Sequence, residues 1–288
     1  MAAFNAPARD EIHLFSEKLI DQHPALALDV LALSHKFALR FGWHYLLDFI
    51  WVLDKLKLPG PARVLDAGGG SGLMPFMLAT AGHQVLSADA LVISLPEAVK
   101  KIIDYKKSGS QTALQTAYAK HLGREKQKEP EPLPVRAPVS FGEIEYHCCN
   151  LENLEHIHDN EFEAIVSISA LEHNPPEQIP VIMKELRRVA RPGAPLLITI
   201  STDRVSGFNE PSLSWLLDEG QLVRYYGLAE GYISNFNQLD EIYQSLKQSP
   251  RLSRWLPSFY YASGQKGMPW GLWNPAYLPA GLLIWNRK

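Results

Sequence analysis

Short apolar runs recur along the chain, and each has the length of a buried strand in a parallel sheet. Segments of helical character separate them, so strands and helices alternate, which predicts an α/β fold. The predicted strands are Val64–Ala67, Gln84–Asp89, Glu143–Cys149, the apolar part of Phe162–His173, Pro195–Ile200 and Gly281–Trp285.

The segment before the first strand has a different pattern. Between residues 11 and 58, large apolar residues recur every three or four positions, which is the spacing of one helix face; they are Phe37, Phe41, Tyr45, Leu46, Phe49, Ile50 and Leu53. Plain packing against the core sheet explains this face; the functional alternative is an N-terminal helical cap over the substrate pocket, formed by residues 1–58. Residues 59–288 are then the main domain.

The main domain contains a charged, proline-rich stretch within residues 106–140. Its charges are of both signs, which indicates a solvated insertion rather than a binding motif. Helices are expected nearby, over residues 95–105 and 112–121.

The first predicted strand runs into a glycine-rich turn that is followed by helix-forming residues from Leu73 onwards. Glycine has no Cβ, so the backbone of such a turn can approach a ligand closely. A strand, glycine turn and helix in this order place a nucleotide-like ligand at the helix N-terminus. The pattern is acid-x-Gly-x-Gly-x-Gly, formed by Asp66, Gly68, Gly70 and Gly72.

This pattern resembles the first motif of the class I S-adenosylmethionine (SAM)-dependent methyltransferases. Three later segments resemble the same family, in the family's order: the strand that ends at Asp89, the strand and following edge at Phe162–His173, and the helix end and Pro-Gly turn at Glu185–Gly193. The resemblance implies a Rossmann-like sheet of seven mostly parallel strands with helices on both faces and an antiparallel last strand.

The resemblance also implies SAM as the cofactor and assigns residues to it. The Asp66 side chain and the backbone of Gly68, Gly70 and Gly72 would flank the methionine part of SAM. The Asp89 carboxylate would bind the ribose hydroxyls, as acids at the end of a second strand do in nucleotide-binding α/β folds.

Three further positions complete the expected cofactor pocket. The family often has an acid after the third strand, near the adenine amino group, whereas this chain has Asn150, followed by Leu151. The side-chain oxygen of Asn150 can still accept a hydrogen bond. Ser169, at the end of the fourth strand, is expected to edge the pocket.

The implied reaction is transfer of the SAM methyl group to a small-molecule acceptor, with oxygen the favoured acceptor atom. A hydroxyl acceptor must lose a proton, so a general base would assist. His173 is the first candidate, because it follows the fourth strand at the edge where open α/β sheets bind ligands. Glu172 and Asp203 are weaker candidates.

Two other functions stay open on the sequence. An NAD(P)-dependent oxidoreductase could use the same fold, but the third glycine of the Gly-x-Gly-x-x-Gly dinucleotide pattern would fall on Leu73. A non-catalytic SAM-binding or partner-binding protein would keep the glycine turn without turnover.

Composition sets limits on partners and location. The formal net charge of −3 gives no support for a broad nucleic-acid surface, so no nucleic-acid partner is expected. No apolar stretch is long enough to span a bilayer, and the N-terminus lacks a signal-like run, so a cytoplasmic location is expected.

The two cysteines, Cys148 and Cys149, are adjacent, which predicts neither a disulfide nor a metal site. We expect both to be buried strand residues. Oligomeric state is left open.

Overall fold

The structure is a computed structural model that describes residues 9–37, 39, 41–70, 72–91, 105–109, 142–259 and 273–288. Eleven strands lie within these residues: β1 (Glu11–Leu14), β2 (Arg63–Ala67), β3 (Gln84–Asp89), β4 (Tyr105–Gly109), β5 (Ile144–Cys148), β6 (Ala164–Ile168), β7 (Pro195–Thr202), β8 (Gly207–Asn209), β9 (Ser214–Leu216), β10 (Ile233–Ser234) and β11 (Leu278–Trp285).

Eight α-helices lie within the same residues: α1 (Lys18–Gln22), α2 (Pro24–Phe37), α3 (Tyr45–Lys55), α4 (Met74–Thr80), α5 (Ile179–Val189), α6 (Glu219–Tyr226), α7 (Leu239–Lys247) and α8 (Pro250–Phe259). Short 3-10 turns occur at Leu171–His173, Pro176–Gln178 and Phe236–Gln238.

Nine of these strands form one sheet in the order β10-β1-β11-β7-β6-β2-β3-β5-β4, and β8 pairs with β9 in a separate hairpin. Within the large sheet β11 is antiparallel to both neighbours, and the other pairings are parallel. The predicted mostly parallel sheet with an antiparallel last strand is confirmed. The predicted number of seven strands is wrong: the large sheet has nine, and β1, β4 and β10 are strands that the sequence did not predict.

The centre of the sheet is covered on both faces. All five residues of β6 are buried, as are the last seven of β7, which is the pattern of a parallel strand between two helix layers. Two crossovers run in opposite directions across the sheet: one leads from β2 through α4 to β3, and the other leads from β6 through α5 to β7. Since such crossovers are right-handed, α4 and α5 lie on opposite faces.

The N-terminal segment is not wholly helical, which corrects the prediction for residues 1–58. β1 pairs antiparallel with β11, where Glu11 lies opposite Leu283. Helix α3 packs directly on the sheet: a Cβ at Gly281 of β11 would lie 2.7 Å from the Trp51 ring. Within residues 9–58, the described part of the segment therefore joins the main hydrophobic core.

The predicted insertion also contains a strand. Residues Tyr105–Gly109 form β4, which extends the sheet in parallel beside β5, whereas the sequence predicted a helix ending at Tyr105 and an exposed insertion after it. The rest of the two predicted helices and of the insertion up to residue 141 lies outside the described residues.

Candidate functional site

The glycine turn after β2 has the backbone geometry that its sequence predicts. Gly68 and Gly70 have positive φ angles of 78° and 52°, which L-residues with a side chain rarely adopt. A Cβ at Gly69 would overlap the side chains of Asp66 and Ser87, and one at Gly68 would overlap Ala170 Cβ. The backbone of the turn therefore packs directly against other protein atoms, and this packing alone requires glycine at positions 68 and 69.

Asp89 is bound to this turn. The backbone N–H of Gly70 donates a hydrogen bond of 2.9 Å to Asp89 Oδ2, and the N–H of Leu91 donates one of 2.8 Å to Oδ1. The residue is 8% exposed. The acid at the end of β3 and the glycine turn thus form one unit at the carboxyl edge of the sheet, where open α/β sheets bind ligands.

Asp66 lies beneath the turn and is completely buried. Its Oδ2 accepts a hydrogen bond of 2.9 Å from Ser87, while its Oδ1 has no hydrogen-bond partner among the described residues. Burial raises the pKa of this carboxyl to about 7, the nearby Asp89 charge adds to the rise, and the Ser87 hydrogen bond opposes it. A buried carboxylate oxygen without a partner favours a cationic or hydrogen-bond-donating neighbour.

Asn150 and Leu151 lie just after β5, beside this unit. The backbone N–H of Cys149 donates to the Asp89 carbonyl at 2.9 Å, which fixes the end of β5 next to the end of β3. Asn150 is exposed, and its Oδ1 accepts a hydrogen bond of 3.1 Å from the Glu152 N–H. Leu151 is buried in the core.

Ser169 marks the end of β6 and has an uncommon backbone conformation. Its φ is 46°, and such strain in a non-glycine residue is concentrated at functional sites. The hydroxyl donates a 2.6 Å hydrogen bond to Glu172 Oε1, so the side chain is directed at the protein. Ser201 of β7 donates to the same oxygen at 3.4 Å, and Glu172 is 1% exposed.

His173 follows in the short 3-10 turn after β6 and is half-buried. Its Nδ1 lies 2.8 Å from the carbonyl oxygen of Leu213. Because a carbonyl can only accept, Nδ1 carries the proton in this contact and Nε2 keeps its lone pair in the neutral ring. The ring is thereby oriented with a proton-accepting atom away from Leu213.

A buried histidine–aspartate pair lies at the start of α3. His44 Nδ1 lies 2.7 Å from Asp48 Oδ2, and the two residues are 3% and 0% exposed. Burial raises the pKa of Asp48, and the carboxylate of Glu172 adds to the rise. Sequence reasoning missed this pair; the four-residue spacing of His44 and Asp48 was the signal that could have revealed it.

The structure thus brings most of the predicted site residues to one edge of the sheet. Asp66, Gly70 and Asp89 are joined through the glycine turn, and Gly68 packs beside Ala170, which precedes the turn that carries His173. Asp203 lies beyond β7, where its Oδ1 accepts the N–H of Arg204 at 2.7 Å.

Comparison with known proteins matches residues 110–198 to the family model of a methyltransferase domain. The match includes β5, β6, α5 and the first half of β7. It begins after the glycine turn and Asp89, so those two features are independent of it. No curated protein matches the chain by sequence.

A search of solved structures matches the [4+2]-cyclase SpnF at 14% sequence identity and a TM-score of 0.49. The match covers 98% of this chain and 99% of that chain. The 1,6-didemethyltoxoflavin-N1-methyltransferase of Burkholderia thailandensis matches at 15% identity, 71% of this chain, 76% of that chain and a TM-score of 0.40. The PH0226 protein of Pyrococcus horikoshii OT3 matches at 19% identity with a TM-score of 0.34, over 54% of this chain and only 51% of its own length.

Among the residues that the structure describes, none forms a helix that is both long and apolar enough to cross a bilayer.

Proposed function

We propose that this chain is a class I SAM-dependent methyltransferase that transfers the methyl group of SAM to a small-molecule acceptor, with oxygen as the favoured acceptor atom. The observation that supports the cofactor site most strongly is the hydrogen bond from the Gly70 N–H to Asp89 Oδ2. This hydrogen bond holds the acid at the end of β3 against the glycine turn after β2. The matched family model covers neither of these residues.

The residues at this edge fit SAM. The cofactor carries an ammonium group and a sulfonium. Asp66 Oδ1, which has no hydrogen-bond partner in the described part of the chain, is a buried acceptor beneath the turn where the methionine part would lie. A positive charge nearby would favour the ionised form of Asp66, whose pKa burial raises to about 7. The proposed methionine contacts are therefore Asp66 and the backbone of Gly68, Gly70 and Gly72.

Asp89 would hold the ribose. The Asp89 carboxylate accepts the backbone N–H groups of Gly70 and Leu91, and a carboxylate can accept several hydrogen bonds, so a ribose hydroxyl could donate to it as well. The backbone bonds fix the carboxylate before the ligand arrives, which lowers the entropy cost of binding.

The adenine end would lie at Asn150 and Leu151. Leu151 is a buried apolar residue just after β5, and Asn150 Oδ1 can accept a further hydrogen bond beyond the one from the Glu152 N–H. Ser169 would contact the cofactor through its backbone, because its hydroxyl is held by Glu172.

When bound, SAM supplies a methyl group on a sulfonium that a nucleophile displaces in line. The chain's part is to hold the acceptor atom in that line, which alone can lower the barrier by roughly 7–11 kcal/mol. We assign the acceptor's proton to Nε2 of His173, since Nδ1 is engaged by the Leu213 carbonyl. Glu172 is less suited to this role because Ser169 and Ser201 already occupy its Oε1 and it is almost completely buried.

The N-terminal segment would border the acceptor side. Asp48 of α3 is close enough to Glu172 for their charges to interact, so α3 reaches the region after β6 that carries His173. We therefore retain residues 1–58 as the acceptor-side cap and residues 59–288 as the cofactor-binding domain, with the insertion at about 106–140. A metabolite is the expected acceptor; no nucleic-acid partner and no transmembrane segment are expected, and the expected location is the cytoplasm.

Calorimetric titration with S-adenosylhomocysteine, with NADH in parallel, tests the cofactor. We expect micromolar binding of S-adenosylhomocysteine and no binding of NADH. Binding of NADH alone would contradict the proposal and favour an oxidoreductase. Release of S-adenosylhomocysteine from SAM, followed across a panel of hydroxyl-bearing and amine-bearing metabolites, then tests turnover; cofactor binding without turnover on any acceptor would favour a non-catalytic binding protein.

A further inference from the structure

Two histidines and a cysteine meet at the end of β5, outside the contacts assigned above. His147 and Cys149 are two positions apart along an extended segment, so their side chains leave the strand on the same side. His156 comes from the loop that follows. One nitrogen of each histidine and the Cys149 sulfur all lie within 4.8 Å of one another.

The two imidazoles are stacked on each other. Their centroids are 4.0 Å apart, and the ring planes differ by 11°. His156 is exposed, while His147 and Cys149 are half-buried, so a small ion could reach the cluster from solvent.

The loop that carries His156 is anchored on both sides of this residue. Leu154 and Ile157 are buried, and the Arg188 guanidinium donates to their carbonyl oxygens at 2.8 Å and 3.0 Å. The Leu154 N–H donates to Glu185 Oε2 at 3.0 Å. These bonds hold the backbone of His156 opposite β5, even though its side chain is exposed.

We propose that His147, Cys149 and His156 form a binding site for a borderline-soft divalent ion of the Zn²⁺ class. Imidazole nitrogen and thiolate sulfur are the donors that Zn²⁺ prefers, whereas Mg²⁺ and Ca²⁺ prefer oxygen. Three protein ligands leave one tetrahedral position for water or a small ligand. This proposal does not depend on the proposed function.

Binding requires side-chain movement only. Metal–nitrogen and metal–sulfur bonds of about 2.0–2.3 Å bring ligand atoms closer to one another than the present 4.8 Å limit. The rings must also tilt out of their parallel stack so that both nitrogen lone pairs point at one ion. The sequence predicts no metal site because the two cysteines alone have no zinc-ligand spacing. The loop after β5 brings His156 beside His147 and Cys149, and this proximity is not visible in the sequence.

Titration of chelator-treated full-length protein with Co²⁺ tests the site, because a cobalt–thiolate bond gives a charge-transfer absorption in the near ultraviolet. We expect one ion per chain, displaced by Zn²⁺ and not by Mg²⁺. Cys149→Ser should abolish the charge-transfer band, whereas Cys148→Ser, the matched control, should keep it. Retention of the band in Cys149→Ser, or its absence from the unmodified protein, would overturn the proposal.

Substitutions of His156 and of the nearby His158 give a second test with its own control. His156→Ala, an exposed substitution with little risk to folding, should weaken Co²⁺ binding by at least about tenfold, since even outer-shell changes around metal ligands reach that size. His158→Ala, two residues away and also exposed, should leave it unchanged. Equal weakening by both variants would show a nonspecific surface effect and overturn the assignment of His156.

Discussion

The Gly70 N–H donates a hydrogen bond of 2.9 Å to the Asp89 carboxylate, which joins the glycine turn after β2 to the end of β3. These residues are separated by a whole helix in the chain but belong to one edge of the sheet. The carboxylate is therefore oriented by the backbone of the turn that it would share with a cofactor.

Replacing Asp89 tests this arrangement. Asp89→Ala should weaken S-adenosylhomocysteine binding by about 10- to 100-fold, because hydrogen bonds to a charged group are worth about 1.5–3 kcal/mol. Asp89→Asn keeps one acceptor oxygen and should lose less. Calorimetric titration measures both, and Asp29→Ala, which removes an exposed carboxylate on α2, is the control. Unchanged affinity in Asp89→Ala would place the ribose elsewhere.

The glycine at position 69 offers a test of the turn itself. Gly69→Ala would place a methyl group against Asp66 Oδ2 and Ser87 Oγ, and overpacking of this kind costs typically 1–3 kcal/mol, so we expect a loss of about that size in the free energy of unfolding. Gly60→Ala, where a Cβ meets nothing within 4 Å, is the control. Urea denaturation of the two variants gives the comparison; equal stabilities would mean that the turn relaxes freely.

Local signals explain which parts of this architecture were predictable. The turn geometry at Gly68 and Gly70 and the boundaries of β3 follow from residues that are neighbours in sequence, and the structure confirms them. β1 has only four residues, and its pairing with β11 joins Glu11 to Leu283. No local pattern contains that pairing, because it depends on tertiary packing.

The candidate site divides in the same way. The positions of Asp66 and Asp89 are marked by strand ends, so the pattern of apolar residues reveals them. The stack of His147 on His156 depends instead on a loop that Arg188 anchors from another element. The Asp48–Glu172 interaction joins residues from opposite sides of β2 in the chain. Such long-range contacts are not visible in a single sequence.

His173 is the residue to change for catalysis. His173→Ala should lower kcat by about 10²–10⁴-fold with a hydroxyl acceptor, because a positioned base contributes that factor, and should leave S-adenosylhomocysteine affinity unchanged. His35→Ala, a histidine in the last turn of α2, is the control. Steady-state assays and calorimetry on the same samples separate the two effects. Full activity in His173→Ala would remove this residue from the mechanism, and loss of product binding would make it a cofactor contact instead.

Asp66 makes stability depend on pH in an unusual direction for an acid. Its pKa is raised by burial from 3.8 to about 7, so between these values the folded protein keeps a proton that the unfolded chain releases. Proton binding by the folded state alone means that the free energy of unfolding falls as pH rises. The stabilising contribution is complete below the unfolded pKa and is lost as pH rises through about 7.

Asp66→Asn removes this titration while keeping the size of the side chain. Relative to the variant, the unmodified protein should lose stability between about pH 5 and pH 7, by at most about 1.4 kcal/mol per pH unit. Urea denaturation across this range measures the difference between the two proteins, in which all other titrations cancel. Asp29→Asn, on the exposed surface of α2, should run parallel to the unmodified protein. A difference that stays constant with pH would show that Asp66 is ionised in the folded state throughout, and that the charge of its buried carboxylate is compensated before any cationic ligand binds.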